Sequence, residues 1–314
     1  MKYFSEAALR QLDDIVAANR FDAIHVDSLH LAKYAVKLKH KHNIPIVLRE
    51  HNFEAEIMHR FSTNTHNPLL RHYAKLQHKR VFNYEATIVS QFDVVMPITD
   101  EDELKLKRAA RSIQSITIPA GVNVDELKFA PNNIDNRVLF LTNFDWYPNK
   151  DSYCYYIREI LPSLLRIKPN VKTVVVGKGT LENTKKINRK GVEVVGFVDD
   201  INNVSSLASI AVVPLRIGSG MRIKILELMA MGIVVITTSI GAEGIKLVHG
   251  KHAFIIDDPT EFSECIAYLL QSPEIVQRTA KTARLFVEEK YSWDNIGQQL
   301  YKVYENLLNR QKKI

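Results

Sequence analysis

Hydrophobic and polar positions follow two alternating patterns along the chain, so that short apolar runs are separated by longer amphipathic stretches. A near-continuous apolar run predicts a strand that is buried on both faces, as in a parallel sheet. The amphipathic stretches between the runs predict helices. In the first part of the chain, four runs predict strands: AIHVDS (23–28), PIVLREH (45–51), DVVMPIT (93–99) and SITIPAG (115–121).

The alternation stops at KFAPNNIDNR (128–137), where Pro131 and three asparagines predict a linker, and then begins again. The chain ends on predicted helices from about residue 259 to residue 311. Six further runs predict strands after the linker: VLFLTNF (138–144), VKTVVVGKG (171–179), VEVVGFV (192–198), IAVVPLR (210–216), IVVITTS (233–239) and HAFIID (252–257).

This order of elements predicts an α/β fold with two Rossmann-like, doubly wound domains whose carboxyl strand ends face a cleft. A length of 314 residues also favours two domains. The first domain has fewer predicted strands, so we expect it to lack its opening strands, or the chain to be an N-terminally truncated piece. We expect a first domain at 1–127, a linker at 128–137, a second domain at 138–290 and a final helix at 291–314 that packs back on the first domain.

Composition places the chain among ordinary globular proteins, with 46% hydrophobic and 25% charged residues. Cys154 and Cys265 are far apart, which argues against a disulfide framework or a zinc site and agrees with a reducing cytoplasm. No run approaches the ~18 apolar residues of a membrane span, and no signal-peptide core follows Met1. We therefore expect a soluble protein inside the cell.

The formal net charge of +7 has three interpretations, which centre on the basic cluster RHYAKLQHKR at 71–80. A nucleic-acid surface is one, but no recognised nucleic-acid motif accompanies the charge. A solvated helix face is the second, and we favour it. The third is a patch that rests on an anionic membrane surface, since each Lys or Arg there contributes about 1 kcal/mol.

The segment RIGSGMRIKILELMAMG (216–232) predicts a strand end, a glycine turn and a helix that begins with two cations. A helix N-terminus is already positive, so Arg222 and Lys224 are unfavourable there unless an anion binds. Gly218 and Gly220 permit a close backbone approach, and Ser219 is a candidate N-cap. The segment therefore predicts a diphosphate site, although both side chains could instead extend into solvent.

The helix after this turn has an apolar stripe, which is expected to be core and includes Met221. Glu227 lies off the stripe, three residues after Lys224. It could form an ion pair with Lys224, or accept hydrogen bonds from a bound diol such as a nucleotide ribose.

The stretch GSGMRIKILELMAMGIVVITTSIGAEGI resembles the donor-binding segment of family 4 (group 1) glycosyltransferases, which are retaining enzymes with the GT-B fold. Several other stretches agree in order and spacing: IPAGVNVDEL, LFLTNFDWYPNKDS, VVVGKG, VEVVGFVDDI and YSWDNIGQQLYKVYENLL. The resemblance implies a nucleotide-sugar donor, UDP- or GDP-linked, held mainly by the second domain. It also implies a glycan or lipid-linked acceptor held mainly by the first domain.

The resemblance also implies roles for particular residues. Glu227 matches the second glutamate of the family signature, which binds the ribose, while the first falls on Ser219. The family's usual Arg and Lys pair is not evident near Lys150, so we expect Arg222 and Lys224 to supply this charge as catalytic residues. The donor-binding residues implied are Gly218, Ser219, Gly220, Met221, Ile223, Glu227, Glu243, Phe197, Val198 and Gly177.

His51 ends a predicted first-domain strand, where the family often has a functional histidine, and we expect it to serve in acid–base catalysis. Glu54, three residues later, is a weaker candidate for a functional residue at the same place. No metal-binding spacing appears, and the resemblance implies that helix amides and basic side chains hold the diphosphate without a metal or another cofactor. The main alternative is a non-catalytic or partner-dependent nucleotide-binding protein.

Overall fold

The chain folds as two units, which a computed structural model describes over residues 4–65, 67–131, 136–179, 190–218 and 220–311. The first unit contains residues 1–120, 219–221 and 296–314, and the second contains residues 121–218 and 222–295. The second unit thus begins before the predicted linker at 128–137. Residues 132–135 of that linker lie outside the described residues.

Arg284 explains why residues 121–131 belong to the second unit. Its guanidinium donates hydrogen bonds to the carbonyl oxygens of Val124, Leu127 and Ala230, at 2.8 to 2.9 Å. An isolated parallel bridge between Val122 and Ser292 also holds this segment in place. One partly buried cation therefore satisfies two carbonyl groups of a segment that has no regular secondary structure.

The first unit is built on three parallel strands in the sequential order β1-β2-β3. Its elements up to residue 120 are α1 (Glu6–Ala18), β1 (Ile24–Val26), α2 (Ala32–His42), β2 (Ile46–Glu50), α3 (Glu54–Asn64), α4 (Pro68–Val89), β3 (Val94–Pro97) and α5 (Asp100–Ala109).

The second unit is built on six parallel strands in the order β6-β5-β4-β7-β8-β9, which confirms the six strands expected after the linker. Its elements are β4 (Arg137–Leu141), α6 (Tyr147–Tyr155), α7 (Leu161–Ile167), β5 (Lys172–Val176), β6 (Val192–Gly196), β7 (Ile210–Val213), α8 (Ile223–Ala230), β8 (Val234–Thr237), α9 (Ser239–Ala242), β9 (Phe254–Ile255), α10 (Pro259–Leu269) and α11 (Pro273–Tyr291). A final helix, α12 (Trp293–Gln311), continues from the second unit into the first.

Side chains of β2 alternate between two cores, one on each face of the first sheet. Ile46 and Leu48 pack in a core with residues of α2, α4 and α5. Val47 lies on the opposite face, in a core that includes Val303 and Leu307 of α12. Because a parallel sheet must be covered on both faces, α12 completes the core of the first unit.

A one-turn π segment, Tyr156–Ile160, joins α6 to α7 and lies over the second sheet. Pro162 follows it and lacks the N–H that a regular α-helix would use, which accounts for the irregular turn. The buried Tyr156 hydroxyl lies 2.7 Å from Thr173 Oγ1, so its polar atom has a partner inside the core.

The predicted strand at 115–121 is wrong. Residues 115–118 lie beside β3, where Ile116 and Ile118 donate hydrogen bonds to carbonyl oxygens of β3, but only one isolated bridge forms, between Ser115 and Val95. Pro119 has no N–H, which prevents the ladder from continuing. The other predicted strands are present with shorter bounds. None of the helices in the described part of the chain has the length and apolar character required to cross a bilayer.

We expect Leu307→Ala to lower the free energy of unfolding of the first unit by about 2 to 3 kcal/mol, because a buried leucine is replaced by a cavity under the sheet. Tyr301→Ala on the same helix is the control, since Tyr301 is 67% exposed and its loss should change stability by less than about 0.5 kcal/mol. Urea unfolding, followed by circular dichroism, measures both. Equal effects of the two substitutions would contradict this packing.

Candidate functional site

The strand order of the second sheet reverses between β4 and β7, which identifies the place where α/β proteins bind ligands. Both strands are parallel, so the segments after them leave the sheet at the same edge. The segment after β4 leads into α6, and the segment after β7 leads through the glycine turn into α8. This carboxyl edge of β4 and β7 is our candidate site.

Arg222 lies at the N-cap of α8, one residue before the helix, whereas the sequence placed it in the first turn. The side chain is only 4% exposed. Its guanidinium carbon lies 6.0 Å from the ring centroid of Trp146, on the segment after β4. Gly218 has φ +149°, and a Cβ there would overlap the Arg222 guanidinium, so this glycine makes room for the cation.

Lys224 lies in the first turn of α8, as expected, and its ammonium points to the end of β4. Nζ donates hydrogen bonds to the carbonyl oxygen of Leu141 at 3.1 Å and to Asn149 Oδ1 at 3.2 Å. Desolvation, together with the charge of Arg222, lowers the pKa of Lys224 to about 8. Neutral oxygens thus hold a second positive charge at the candidate site.

Glu227 is half-buried on α8, and Lys224 bonds to Leu141 and Asn149 instead of to it. The ion pair that the sequence allowed is therefore replaced by other contacts of the lysine. Desolvation raises the pKa of the Glu227 carboxyl. A carboxylate with this environment favours hydrogen-bond donors such as hydroxyl groups.

Other predicted donor-binding residues follow strands of the same sheet, so their backbones lie at the same carboxyl edge. Gly177 follows β5 with φ +131°, and a Cβ there would overlap the carbonyl oxygen of Thr142. Phe197 and Val198 follow β6, and Phe197 is exposed. Glu243 is the C-cap of α9, after β8. Ser219 lies outside the described residues.

Gly220 and Met221 belong to the first unit, whereas Gly218 and the residues from Arg222 onward belong to the second. A Cβ on Gly220 would lie 2.5 Å from the carbonyl oxygen of His51 and 2.6 Å from Asn52 Oδ1, so only glycine fits there. Met221 is buried, and its sulfur lies 3.4 Å from the backbone nitrogen of Ala120. Gly220 is therefore fitted closely to the His51 segment.

His51 follows β2, at the carboxyl edge of the first sheet, and its Nε2 lies 2.7 Å from Asp27 Oδ1. Asp27 follows the neighbouring strand β1, which pairs in parallel with β2. Sequence reasoning missed Asp27. Its position directly after a predicted strand was the available signal, because carboxyl ends of adjacent parallel strands share one edge.

A buried carboxylate supports the segment that carries His51. Glu85 of α4 accepts hydrogen bonds from the backbone N–H groups of Glu54 at 2.9 Å and Ala55 at 3.0 Å. These two residues begin α3, whose N-cap, Phe53, provides no side-chain cap. Desolvation raises the pKa of Glu85 to about 8, against the opposing effect of these two backbone bonds. A side chain from another helix thus fixes the start of α3.

Comparison with known proteins finds similarity to glycosyltransferases. The family model for glycosyl transferases group 1 matches residues 135–272. An uncharacterized 44.6 kDa protein in the cps region of Klebsiella pneumoniae is 22% identical over 268 residues, which cover 82% of this chain and 67% of that protein. The phosphatidyl-myo-inositol mannosyltransferase of Mycobacterium leprae is 26% identical over 212 residues, which cover 64% of this chain and 56% of that protein.

Two solved structures share the fold. Sucrose-phosphate synthase from Thermosynechococcus elongatus aligns with a TM-score of 0.78 and 18% identity, covering 96% of this chain and 78% of the other. Anabaena HepE in complex with UDP aligns with a TM-score of 0.76 and 14% identity, covering 96% of this chain and 82% of the other. These structural neighbours are GT-B proteins, in agreement with the fold class expected from the sequence.

We expect Lys224→Met to change how stability depends on pH. The folded-state pKa of Lys224, about 8, is below the unfolded value of about 10.4, so the unfolded chain binds more protons between these values. The wild type should therefore gain stability, relative to the variant, as pH rises through this range. Urea unfolding at several pH values, with the exposed Lys150→Met as control, tests this. Parallel pH profiles for wild type and Lys224→Met would contradict it.

Proposed function

We propose that the chain is a group 1 glycosyltransferase, on the match of that family model to residues 135–272, and that it transfers a sugar from a nucleoside diphosphate to a glycan or lipid-linked acceptor. The observation that carries the proposal is the start of α8 at the switch point of the second sheet, with Arg222 and Lys224 beside it. A helix start of this kind is suited to an anionic phosphate group.

The donor diphosphate would lie at the N-terminus of α8. Negative charge grows on the diphosphate as the glycosidic bond breaks, and the first N–H groups of the helix together with the buried Arg222 would stabilise it. In this proposal the amides and cations stabilise the charge of the diphosphate, which a metal ion stabilises in other enzymes, so transfer is metal-independent. Glu227 would accept hydrogen bonds from the ribose hydroxyls.

The acceptor would bind to the first unit, where His51 stands at the end of β2. Asp27, at 2.7 Å from the ring, would orient the imidazole so that its other nitrogen faces the acceptor or sugar. Retention of the anomeric configuration belongs to the proposal on the resemblance of the glycine-turn segment to retaining enzymes. HepE binds UDP in its solved structure, which makes UDP the first nucleotide to test.

We expect Arg222→Ala to lower the rate of donor cleavage by roughly 10² to 10³, since it removes a preorganised cation from the leaving group. Arg158→Ala, at an exposed position on the segment between α6 and α7, is the matched control and should retain the full rate. Donor hydrolysis of UDP- and GDP-sugars and isothermal titration with UDP and GDP provide the rates and affinities. An unchanged rate and unchanged affinity in Arg222→Ala would contradict the proposal for this residue.

His51→Ala separates donor binding, which we assign to the second unit, from the acid–base catalysis that we assign to His51. This variant should retain UDP affinity, because His51 lies outside the donor-binding unit, while its turnover falls. Nucleotide binding without any turnover by the wild-type chain would instead favour the non-catalytic alternative. An absence of binding to any nucleotide or nucleotide sugar would contradict the proposed function.

We also propose that the protein works in the cytoplasm, at the surface of an anionic membrane. Helix α4 carries an exposed apolar stripe, formed by Leu69, Leu70, Tyr73 and Leu76, with basic side chains between these residues. No Asp or Glu occurs from residue 57 to residue 84, whereas five Lys and Arg do. Apolar side chains flanked by cations favour the interface of an anionic bilayer.

We expect Leu69→Glu to reduce sedimentation of the protein with vesicles of phosphatidylcholine and phosphatidylglycerol, because it places a negative charge in the stripe. Leu285→Glu is the matched control: Leu285 is 65% exposed, on α11, and Leu69 is 81% exposed. The control should sediment like the wild type. If the wild type sediments equally with pure phosphatidylcholine, the membrane proposal is wrong.

A further inference from the structure

A cavity of about 770 Å³ lies between α3 and α4 in the first unit. Its walls are mainly apolar and include Met58 and Phe61 of α3 with Tyr73, Ala74 and Val81 of α4. The volume is within the range of pockets that enclose small-molecule ligands, roughly 300 to 1,000 Å³. We call this space the α3–α4 cavity.

The two helices run antiparallel, which gives the α3–α4 cavity two different ends. At one end, the start of α3 is bonded to Glu85, late in α4. At the other, Arg71 Nη2, early in α4, donates to the carbonyl oxygen of Thr65, just after α3, at 3.0 Å. Residues early in α3 therefore share one end of the cavity with residues late in α4.

This arrangement separates polar from apolar lining residues. Glu54, early in α3, and Arg80 and Tyr84, late in α4, line the first end. The Tyr84 hydroxyl is buried and has no hydrogen-bond partner among the described residues, and burial raises its pKa to about 12. Phe61, Tyr73 and Ala74 line the second end, which is apolar. The cavity is therefore amphiphilic along its length.

The polar end lies toward His51. Glu54 is close enough to His51 and His30 for their charges to oppose the desolvation that raises the pKa of its carboxyl. Glu54 also follows His51 by only three residues. A ligand in the cavity would thus present its polar end to the histidine that we propose for acid–base catalysis.

We propose that the α3–α4 cavity binds a hydrocarbon chain of the acceptor, and that the acceptor carries an anionic head at the end lined by Glu54, Arg80 and Tyr84. The apolar walls fit a hydrocarbon chain, because burying each methylene group is favourable. Arg80, which lines that end, provides charge complementarity to a phosphate. This inference rests on the proposed function and narrows the acceptor to an amphiphilic phosphate.

Submicellar dodecyl phosphate is the probe, with binding measured by isothermal titration to the full chain. We expect one molecule to bind per chain. Met58→Trp fills the cavity, and Tyr73→Glu places a carboxylate at its apolar end; each should weaken binding roughly tenfold or more. Tyr301→Glu is the matched control, since Tyr301 and Tyr73 are 67% and 58% exposed, and it should bind like the wild type.

Arg80→Gln tests the anionic head. It should weaken binding of dodecyl phosphate but leave binding of the neutral dodecyl maltoside unchanged, while Arg108→Gln, at an exposed position on α5, changes neither. Circular dichroism establishes whether each variant is folded. If Met58→Trp does not fold, Tyr73→Glu alone tests the cavity. Absence of wild-type binding, or equal affinity of the wild type and both cavity variants, would overturn the inference. If Arg80→Gln weakens the binding of dodecyl phosphate and dodecyl maltoside equally, the proposal that the ligand has an anionic head is wrong.

Donor assays on the same proteins separate this inference from the proposed function. UDP binding and donor hydrolysis should be unchanged in Tyr73→Glu, because the donor residues belong largely to the second unit. Dodecyl phosphate binding without any donor binding would remove the proposed function and retain the cavity as a ligand site. Donor cleavage without binding of dodecyl phosphate would retain the proposed function and overturn the inference about the cavity.

Discussion

All strands of both sheets pair in parallel, and this single constraint dictates most of the structure. A parallel sheet must bury both faces and therefore needs helices on each side. In the first unit, the chain meets this requirement by returning at its end, where α12 covers the face of β2 that Val47 occupies. Because parallel strands also end at one edge, the same constraint gathers the loops that can bind a ligand.

The strand order then selects one place along that edge. In the second sheet, β4 and β7 are neighbours although the chain goes out to β5 and β6 between them. The loops after β4 and β7 therefore diverge and leave room for a ligand. Arg222 and Lys224 lie there against groups from the loop and helix after β4: Trp146 for the arginine, Asn149 for the lysine. The positive charge at the start of α8 is held in place by contacts remote in sequence.

The first unit has a second arrangement that depends on a buried carboxyl group. Glu85 fixes the start of α3, so the residues from His51 to Glu54 are held between β2 and a capped helix. The same antiparallel packing of α3 and α4 encloses the α3–α4 cavity and places its polar end beside Glu54. One pair of helices thus connects the histidine segment with a space suited to an apolar chain.

The two-part α/β organisation and all six strands of the second sheet are predictable from the sequence, because runs that are apolar on both faces are recognisable without knowledge of their partners. The sequence also located the glycine turn and its two cations, since a local motif has local chemistry. Three features could not be predicted in this way: the bonds of Lys224 to Leu141 and Asn149, the pairing of Asp27 with His51, and the absence of a strand at residues 115–121. Each of these depends on neighbours distant along the chain: a partner's carbonyl, an adjacent strand end, or a ladder that Pro119 cannot extend.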